Sequence, residues 1–316
     1  MLFYDVFNGD ADGICALHQL RLESPRDALL VTGVKRDIAL VARVAAQPGD
    51  ELTVLDVSFA RNAPAVAAAL AAGASVRYFD HHFPGELPAH PRLAATIDTA
   101  PDVCTSLLVD RHLDGRRRAW AVVAAFGDNL EAAARRAAVP LALAPHGLAR
   151  LQELGECLNY NAYGESVDDL YYDPVDLYRA ISGYDDPFDF IAGEPVFEVL
   201  SNGRADDLYR AEEVRPEAAN ERRAVYVLPD AGWSRRVSGS FANRLARAQP
   251  QRAHAILTRR QDGYTVSVRA PLLAPSGADA LCRPFGGGGR AGAAGIDALH
   301  DAELAGFAAA FEHAYP

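Results

Sequence analysis

The chain has 316 residues, half of them hydrophobic, with 31 Lys and Arg against 42 Asp and Glu and a formal net charge of -11. That is ample for a sizeable core, and the length favours two domains. The acidic balance argues against a general binder of long nucleic acid, whose affinity rests on neutralising phosphates, while leaving room for a small phosphate ligand in a local basic pocket. The four cysteines (Cys15, Cys104, Cys157, Cys282) are widely spaced, so reduced, mostly buried thiols are expected rather than a disulfide framework. The N-terminus lacks the basic region and apolar core of a signal peptide, and no apolar run reaches membrane-spanning length, so a soluble cytoplasmic protein is expected.

Residues 2–7 read as a first strand and 14–23 as a helix with Ile14, Leu17 and Leu20 on one face. Strand-like runs recur at 28–31, 52–55 and 76–79, separated by alanine-rich helical stretches at 38–46 and 64–72. Such alternation predicts right-handed βαβ units and a mostly parallel, doubly wound sheet. Helical patterns dominate from Cys104 to about Ser182, and Gly183 to Pro187 reads as a turn. The charged stretch 204–223 is expected to bridge two lobes as an exposed helix or linker, with Pro216 interrupting any single helix. A second α/β pattern follows: a strand at 224–228, a helix at 241–248, strands at 253–258 and 264–268 joined by a turn at Asp262-Gly263, and a glycine run from Gly286. The expected architecture is an N-terminal domain over 1–185, a linker over 186–222 and a smaller C-terminal α/β lobe over 223–316, with a cleft between the lobes.

Asp80-His81-His82 closes an apolar run, which places a carboxylate and two imidazoles at the C-terminal end of a buried strand. Asn8-Gly9-Asp10-Ala11-Asp12-Gly13 and Val54-Leu55-Asp56 end strands in the same way, while Asp128 follows the helical run 119–126 and must be brought in by packing. Ligands of open parallel sheets collect outside the carboxyl ends of the strands. Carboxylates and imidazoles together suit manganese, zinc, iron or cobalt better than calcium. Without cations so many carboxylates in one pocket would repel one another. With two metals a shared carboxylate bridges them and a bound water becomes a nucleophile. Each piece alone has a bland reading as a turn, a helix cap or an exposed pair; the ordered conjunction at strand ends is what points to metal. Four successive glycines let backbone amides approach an anion, and the nearby Arg290, with Arg269 from another segment, favours an anion site over a plain loop tip. Tyr171-Tyr172 and the Asn159–Gly164 segment read as packing aromatics and a helix end, and the remaining histidines, among them His18 and His254, read as structural.

In this order the motifs resemble those of the DHH superfamily of phosphoesterases, of the RecJ and nanoRNase kind, with the associated C-terminal substrate-binding domain. Asp10-Ala11-Asp12-Gly13 resembles the first motif, Asp56 the second, Asp80-His81-His82 the third and Asp128 the fourth. Asn8 stands where RecJ-type enzymes have a further aspartate, and Val6 where other branches have a histidine. Gly287-Gly288-Gly289-Arg290-Ala291-Gly292-Ala293-Ala294-Gly295 resembles the C-terminal signature, with Arg290 in place of its histidine, and Arg269 resembles a family arginine. The resemblance implies two divalent ions, manganese first among them, held by Asp10, Asp12, Asp56, His81 and Asp128, with Asp56 bridging. It further implies that His82 contacts the scissile phosphate or supports a metal from behind its direct ligands, that Asp80 orients the histidines, and that Arg269, Arg290, Gly287, Gly288 and Gly289 hold substrate phosphate. The implied reaction is attack of metal-bound hydroxide on phosphodiesters of short oligonucleotides or dinucleotides. A phosphoanhydride such as polyphosphate is the alternative substrate, and a non-catalytic nucleotide-binding protein the alternative class. No membrane or long nucleic acid is expected among the partners; a homodimer is a further candidate.

Overall fold

The central strands of the first unit are apolar on both faces, as strands covered by helices on each side must be. In the computed structural model, which describes residues 1–316, β1 (Phe3–Phe7), β2 (Leu29–Val31), β3 (Glu51–Leu55), β4 (Ser75–Asp80) and β5 (Leu93–Ile97) form an all-parallel sheet in the order β2-β1-β3-β4-β5. The register sets Phe7 beside Leu55 and Leu55 beside Phe79, and one residue earlier Val6 beside Val54 and Val54 beside Tyr78. Successive side chains of a strand point to opposite faces. The row Phe7, Leu55, Phe79 therefore joins one core with α1 (Ala11–Glu23), and the row Val6, Val54, Tyr78 joins the other with α2 (Phe59–Ala71). The same register brings Asn8, Asp56 and Asp80 out together at the carboxyl edge of the sheet.

The first core is completed by α3 (Thr105–His112), α4 (Arg118–Gly127), α5 (Glu131–Ala138), α6 (Pro145–Asn161), α7 (Pro174–Ser182) and α8 (Pro187–Gly193). Helices α1, α4 and α6 meet through small residues. A Cβ on Gly155 would sit 2.1 Å from the Val123 carbonyl oxygen, and one on Gly127 would sit 2.5 Å from Ala11 Cβ. This close crossing carries Asp128, the residue after α4, to the first turn of α1.

Several elements differ from the sequence expectation. Residues 38–46 do not form an α-helix: only Leu40–Arg43 makes a 3-10 turn. Asn62 of α2 holds that segment from the side, donating to the Ile38 carbonyl at 2.6 Å and accepting from Val41 N at 3.1 Å. Strand β5 is absent from the sequence reading, because Leu-Ala-Ala-Thr-Ile lacks a buried face and reads as a strand only through its pairing with β4. Helix α2 starts at Phe59 and accommodates Pro64 within it.

α9 (Pro195–Glu212) contains the boundary between two compact units, Met1–Asn202 and Gly203–Pro316. It ends before Pro216, and its Asp207 is buried in a two-pronged ion pair with Arg236, so this part of the expected linker is packed. The second unit has β6 (Ala218–Ala219), β7 (Arg223–Leu228), α10 (Gly232–Ala248), β8 (Ala253–Arg260), β9 (Gly263–Arg269), α11 (Ala278–Cys282), β10 (Gly288–Arg290), β11 (Ala293–His300) and α12 (Leu304–Ala314). Its mixed sheet runs β10-β11-β9-β8-β7-β6, with only β7 and β8 parallel. Helix α10 begins nine residues before the expected Phe241. All four cysteines are buried and free, and no helix is long and apolar enough to cross a membrane.

Replacing Gly155 with Ala forces α4 and α6 apart. Urea unfolding of Gly155→Ala is expected to show a loss of about 1–3 kcal/mol, the usual range for overpacking; an unchanged midpoint would mean that the crossing relaxes freely.

Candidate metal centre

The chemistry begins one residue beyond each strand. Asp56 follows β3 with a φ of 57°, in the left-handed region that a non-glycine residue enters at a cost of roughly 1–2 kcal/mol. Its backbone N–H donates to the Phe79 carbonyl at 3.0 Å, which ties the turn to β4. The carboxylate is thereby aimed at the space beside α1 and α3, where its Oδ1 accepts from Thr105 Oγ1 at 3.1 Å.

Asp12 lies in the first turn of α1 and also serves the start of α3. Its two oxygens accept from Thr105 N and Ser106 N, each at 2.7 Å, and Ser106 Oγ donates to the Asp12 carbonyl at 2.9 Å. A carboxylate at a helix N-terminus is favoured by the free amides and the helix dipole. Asp128 completes the group from the end of α4.

His81 is fixed by its back side. Its Nδ1 lies 3.0 Å from the Val103 carbonyl, which can only accept, so Nδ1 carries the proton and Nε2 presents its lone pair in the neutral ring. Nε2 is 3.4 Å from Asp56 Oδ1, 3.9 Å from Asp128 Oδ2 and 4.0 Å from Asp12 Oδ2. A lone pair and three carboxylates do not converge stably without positive charge among them. The ligand atoms of Asp12, His81 and Asp128 lie within 4.8 Å of one another, as do those of Asp56, His81 and His82. The donor set of imidazole and carboxylate suits a first-row transition ion. Asn8 Oδ1, buried nearby in sequence, has no hydrogen-bond partner.

Asp80 is fully buried and holds the turn together. Its Oδ1 accepts from His82 Nδ1 at 2.7 Å and from the backbone N–H of His81 at 2.9 Å, while Oδ2 accepts from Phe59 N at 3.1 Å. Asp80 therefore orients His82 through its ring and His81 through the backbone. The Asp80 hydrogen bond raises His82 above its ordinary pKa.

The electrostatics record the crowding. Burial, then Asp12 and Asp10, push Asp56 well above the usual carboxylate range. Burial, then Asp12, raise Asp128 to about 6. Asp10 behaves differently: burial works against its charge, but Lys35 and the Gly13 N–H hold it below the ordinary value. Its Oδ1 caps α1, accepting from Asp12 N at 3.0 Å and Gly13 N at 3.1 Å. Its Oδ2 is in close contact with Lys35 Nζ. Asp10 is thus in the cluster as expected, but its oxygens are engaged by a helix start and an ammonium. Val6, at the position of the family histidine, is buried in the α2-side core and offers no ligand.

Sequence reasoning missed Lys35 and, with it, Asn159, read there as part of a helix end. Lys35 Nζ lies 3.0 Å from Asn159 Oδ1 and 3.5 Å from Asp128 Oδ1. Desolvation disfavours its charge, but Asp10 and Asp128 outweigh that and keep the ammonium protonated. A signal was available: Lys35 is the only lysine in the chain, and the other members of its 31 basic residues are arginines.

In the second unit, Arg290 pairs across β11 with Ala293, and Ala293 with Arg269 of β9. Residues directly opposite one another share a sheet face, so the two arginines project the same way from strands two spacings apart, about 10 Å. Arg269 Nε donates to Asn243 Oδ1 of α10 at 2.7 Å, and Ser238 of α10 meets Ser267 at 3.3 Å. Part of the glycine run is a paired strand rather than a loop tip. Gly288 and Gly289 belong to the edge strand β10, and a Cβ on Gly289 would lie 2.5 Å from Ala294 Cα, while one on Gly287 would lie 2.3 Å from the Gly295 carbonyl. These glycines allow close strand approach, and an edge strand leaves amides on its outer side unpaired.

No protein-family model matches the chain, and no curated protein matches it. Solved structures do. Exonuclease RecJ bound to manganese is 17% identical, with 99% of this chain and 90% of that one covered and a TM-score of 0.64. RecJ in complex with Mn2+ from Thermus thermophilus is 18% identical, with 99% of this chain but 52% of that one covered and a TM-score of 0.67, so the chain spans about half its length. The pGpG-specific phosphodiesterase PggH from Vibrio cholerae is 14% identical, with 98% and 97% covered and a TM-score of 0.56. The chain thus has a two-unit α/β fold similar to that of these RecJ and PggH structures. The resemblance carried by the four motifs and the glycine-rich segment therefore extends to the fold of nearly the whole chain.

The raised carboxyls set a pH dependence. A group whose pKa is raised by folding stabilises the cation-free fold while protonated, and loses that contribution as pH rises, for Asp128 through about 6. A cation is favoured in the opposite sense, since below that pH it competes with the proton. The gain in melting temperature on adding manganese is expected to be large at about pH 7.5 and to shrink at about pH 5. An equal gain at both would show that these carboxylates do not bind the ion.

Proposed function

We propose that this protein is a divalent-metal-dependent phosphoesterase acting on a small phosphodiester, a dinucleotide or short oligonucleotide. The observation that carries the reading is the convergence of His81 Nε2 with Asp12, Asp56 and Asp128, together with the DHH fold. In this reading those four residues hold the cation, and manganese is the first ion to test because a structure of this fold is named as bound to it. A bound divalent ion supplies a Lewis acid at phosphoryl oxygen and lowers the pKa of water.

The chain's own residues do the rest. Val103 keeps the His81 proton on Nδ1 and so keeps Nε2 available for coordination. Thr105 Oγ1 and the α3 amides orient Asp56 and Asp12. Asp80 holds His82 with its Nδ1 proton engaged, which leaves the partly exposed Nε2 edge to meet the scissile phosphate. Arg269, Arg290 and the outward amide of the Gly288–Gly289 edge are proposed to bind substrate phosphate, while Gly287, whose N–H donates to the Cys282 carbonyl at 3.0 Å, shapes the approach to it; an arginine fork binds phosphate bidentately but does not shuttle protons near neutral pH. The net charge of -11 favours a short substrate over long nucleic acid.

The test is manganese-dependent release of mononucleotides from the linear dinucleotide pApA and from a short RNA. Turnover is expected in the wild type and none in Asp56→Ala, while Asp80→Asn, which loses the orienting carboxylate, is expected to fall by about 10–100-fold. Turnover of polyphosphate with none of either nucleotide would move the substrate class to phosphoanhydrides. Full activity in Asp56→Ala would remove the metal mechanism.

A further inference from the structure

We infer that the ammonium of Lys35 permanently fills one of the two cation positions that the motif resemblance implies, so that the centre takes a single divalent ion. This rests on the metal-dependent reading above and changes its stoichiometry.

Three observations carry it. Lys35 Nζ has three oxygen neighbours, Asp10 Oδ2, Asn159 Oδ1 at 3.0 Å and Asp128 Oδ1 at 3.5 Å. An ammonium has three donors and no acceptor, so this oxygen set matches its capacity. Next, Asp128 divides its carboxylate: Oδ1 faces Lys35, and Oδ2 lies 3.9 Å from His81 Nε2. A carboxylate shared between two cations would be divided in the same way. Finally, Asp10 falls outside both groups of converging ligand atoms, and its oxygens serve the α1 cap and Lys35.

The surroundings hold the lysine there. The Lys35 backbone N–H donates to the Ala162 carbonyl at 3.0 Å, just beyond α6, and Asn8 Nδ2 donates to the Lys35 carbonyl at 3.2 Å. Asn8 thus fastens the lysine segment. The sole lysine of a chain otherwise supplied with arginine stands at this point. A compact ammonium on a flexible stem can replace a metal ion among oxygens; a planar guanidinium is shaped for a different, forked contact.

The experiment counts manganese per chain by mass spectrometry after equilibrium dialysis, with electron paramagnetic resonance on the same samples. The wild type is expected to hold one ion per chain with an uncoupled spectrum. Lys35→Ala is expected to hold two, with the broadened signal of exchange-coupled neighbours. Asp10→Asn is expected to keep one, since Asp10 serves the lysine, and Asp56→Ala none. Two ions in the wild type would overturn the assignment of Lys35 and leave the metal reading standing. The wild-type count decides this even where a variant does not fold. No ion in the wild type would overturn both. A single ion in folded Lys35→Ala, or none in folded Asp10→Asn, would also contradict the assignment.

Discussion

The structure depends on a concentration of negative charge that it cannot leave uncompensated. Asp10, Asp12, Asp56 and Asp80 are all buried, and Asp128 lies against them. Removing ionised carboxylates from water costs several kcal/mol each unless charge or hydrogen bonds replace the solvent. The fold supplies what it can. Two helix N-termini receive Asp10 and Asp12, the backbone of the His81-His82 turn and of Phe59 receives Asp80, and Lys35 neutralises part of the rest. Asp56 and the outer half of Asp128 remain facing His81, and there the arrangement calls for a cation.

This demand explains why the site lies where the sheet and helices meet. Parallel register alone brings Asn8, Asp56 and Asp80 to one edge, because a one-residue slip would turn every inward side chain outward. The helices then approach that edge through glycines. Gly127 and Gly155 remove the side chains that would hold α4 away, and the short step to Asp128 follows. The backbone of Asp56 sits in the left-handed region so that its carboxylate turns into the cluster. Packing and local strain thus serve one geometric end, the placement of oxygens around a small volume.

Much of this was legible in the sequence because it depends on local order. Apolar runs ending in carboxylates mark strands whose carboxyl ends share an edge, and Asp80-His81-His82 announces itself by composition. What was illegible depends on contacts between distant segments. Lys35 lies on a loop between β2 and β3, and only the tertiary fold brings it to Asn159, 124 residues later. The segment 38–46 had helical composition, but Asn62 pins it by two hydrogen bonds that no local pattern reveals. Strand β5 pairs through its backbone with side chains that carry no alternation. The pairing of the glycine run with Ala293 to Gly295 was likewise hidden, because glycine permits both a nest and a tight edge strand.

Anomalous diffraction at the manganese edge, from crystals grown with the ion, locates the cation. One peak is expected within coordination distance of His81 Nε2 and carboxylate oxygens of Asp12, Asp56 and Asp128, with Lys35 Nζ still against Asp10. No peak at His81, or a peak displacing Lys35 from Asp10, would contradict this arrangement.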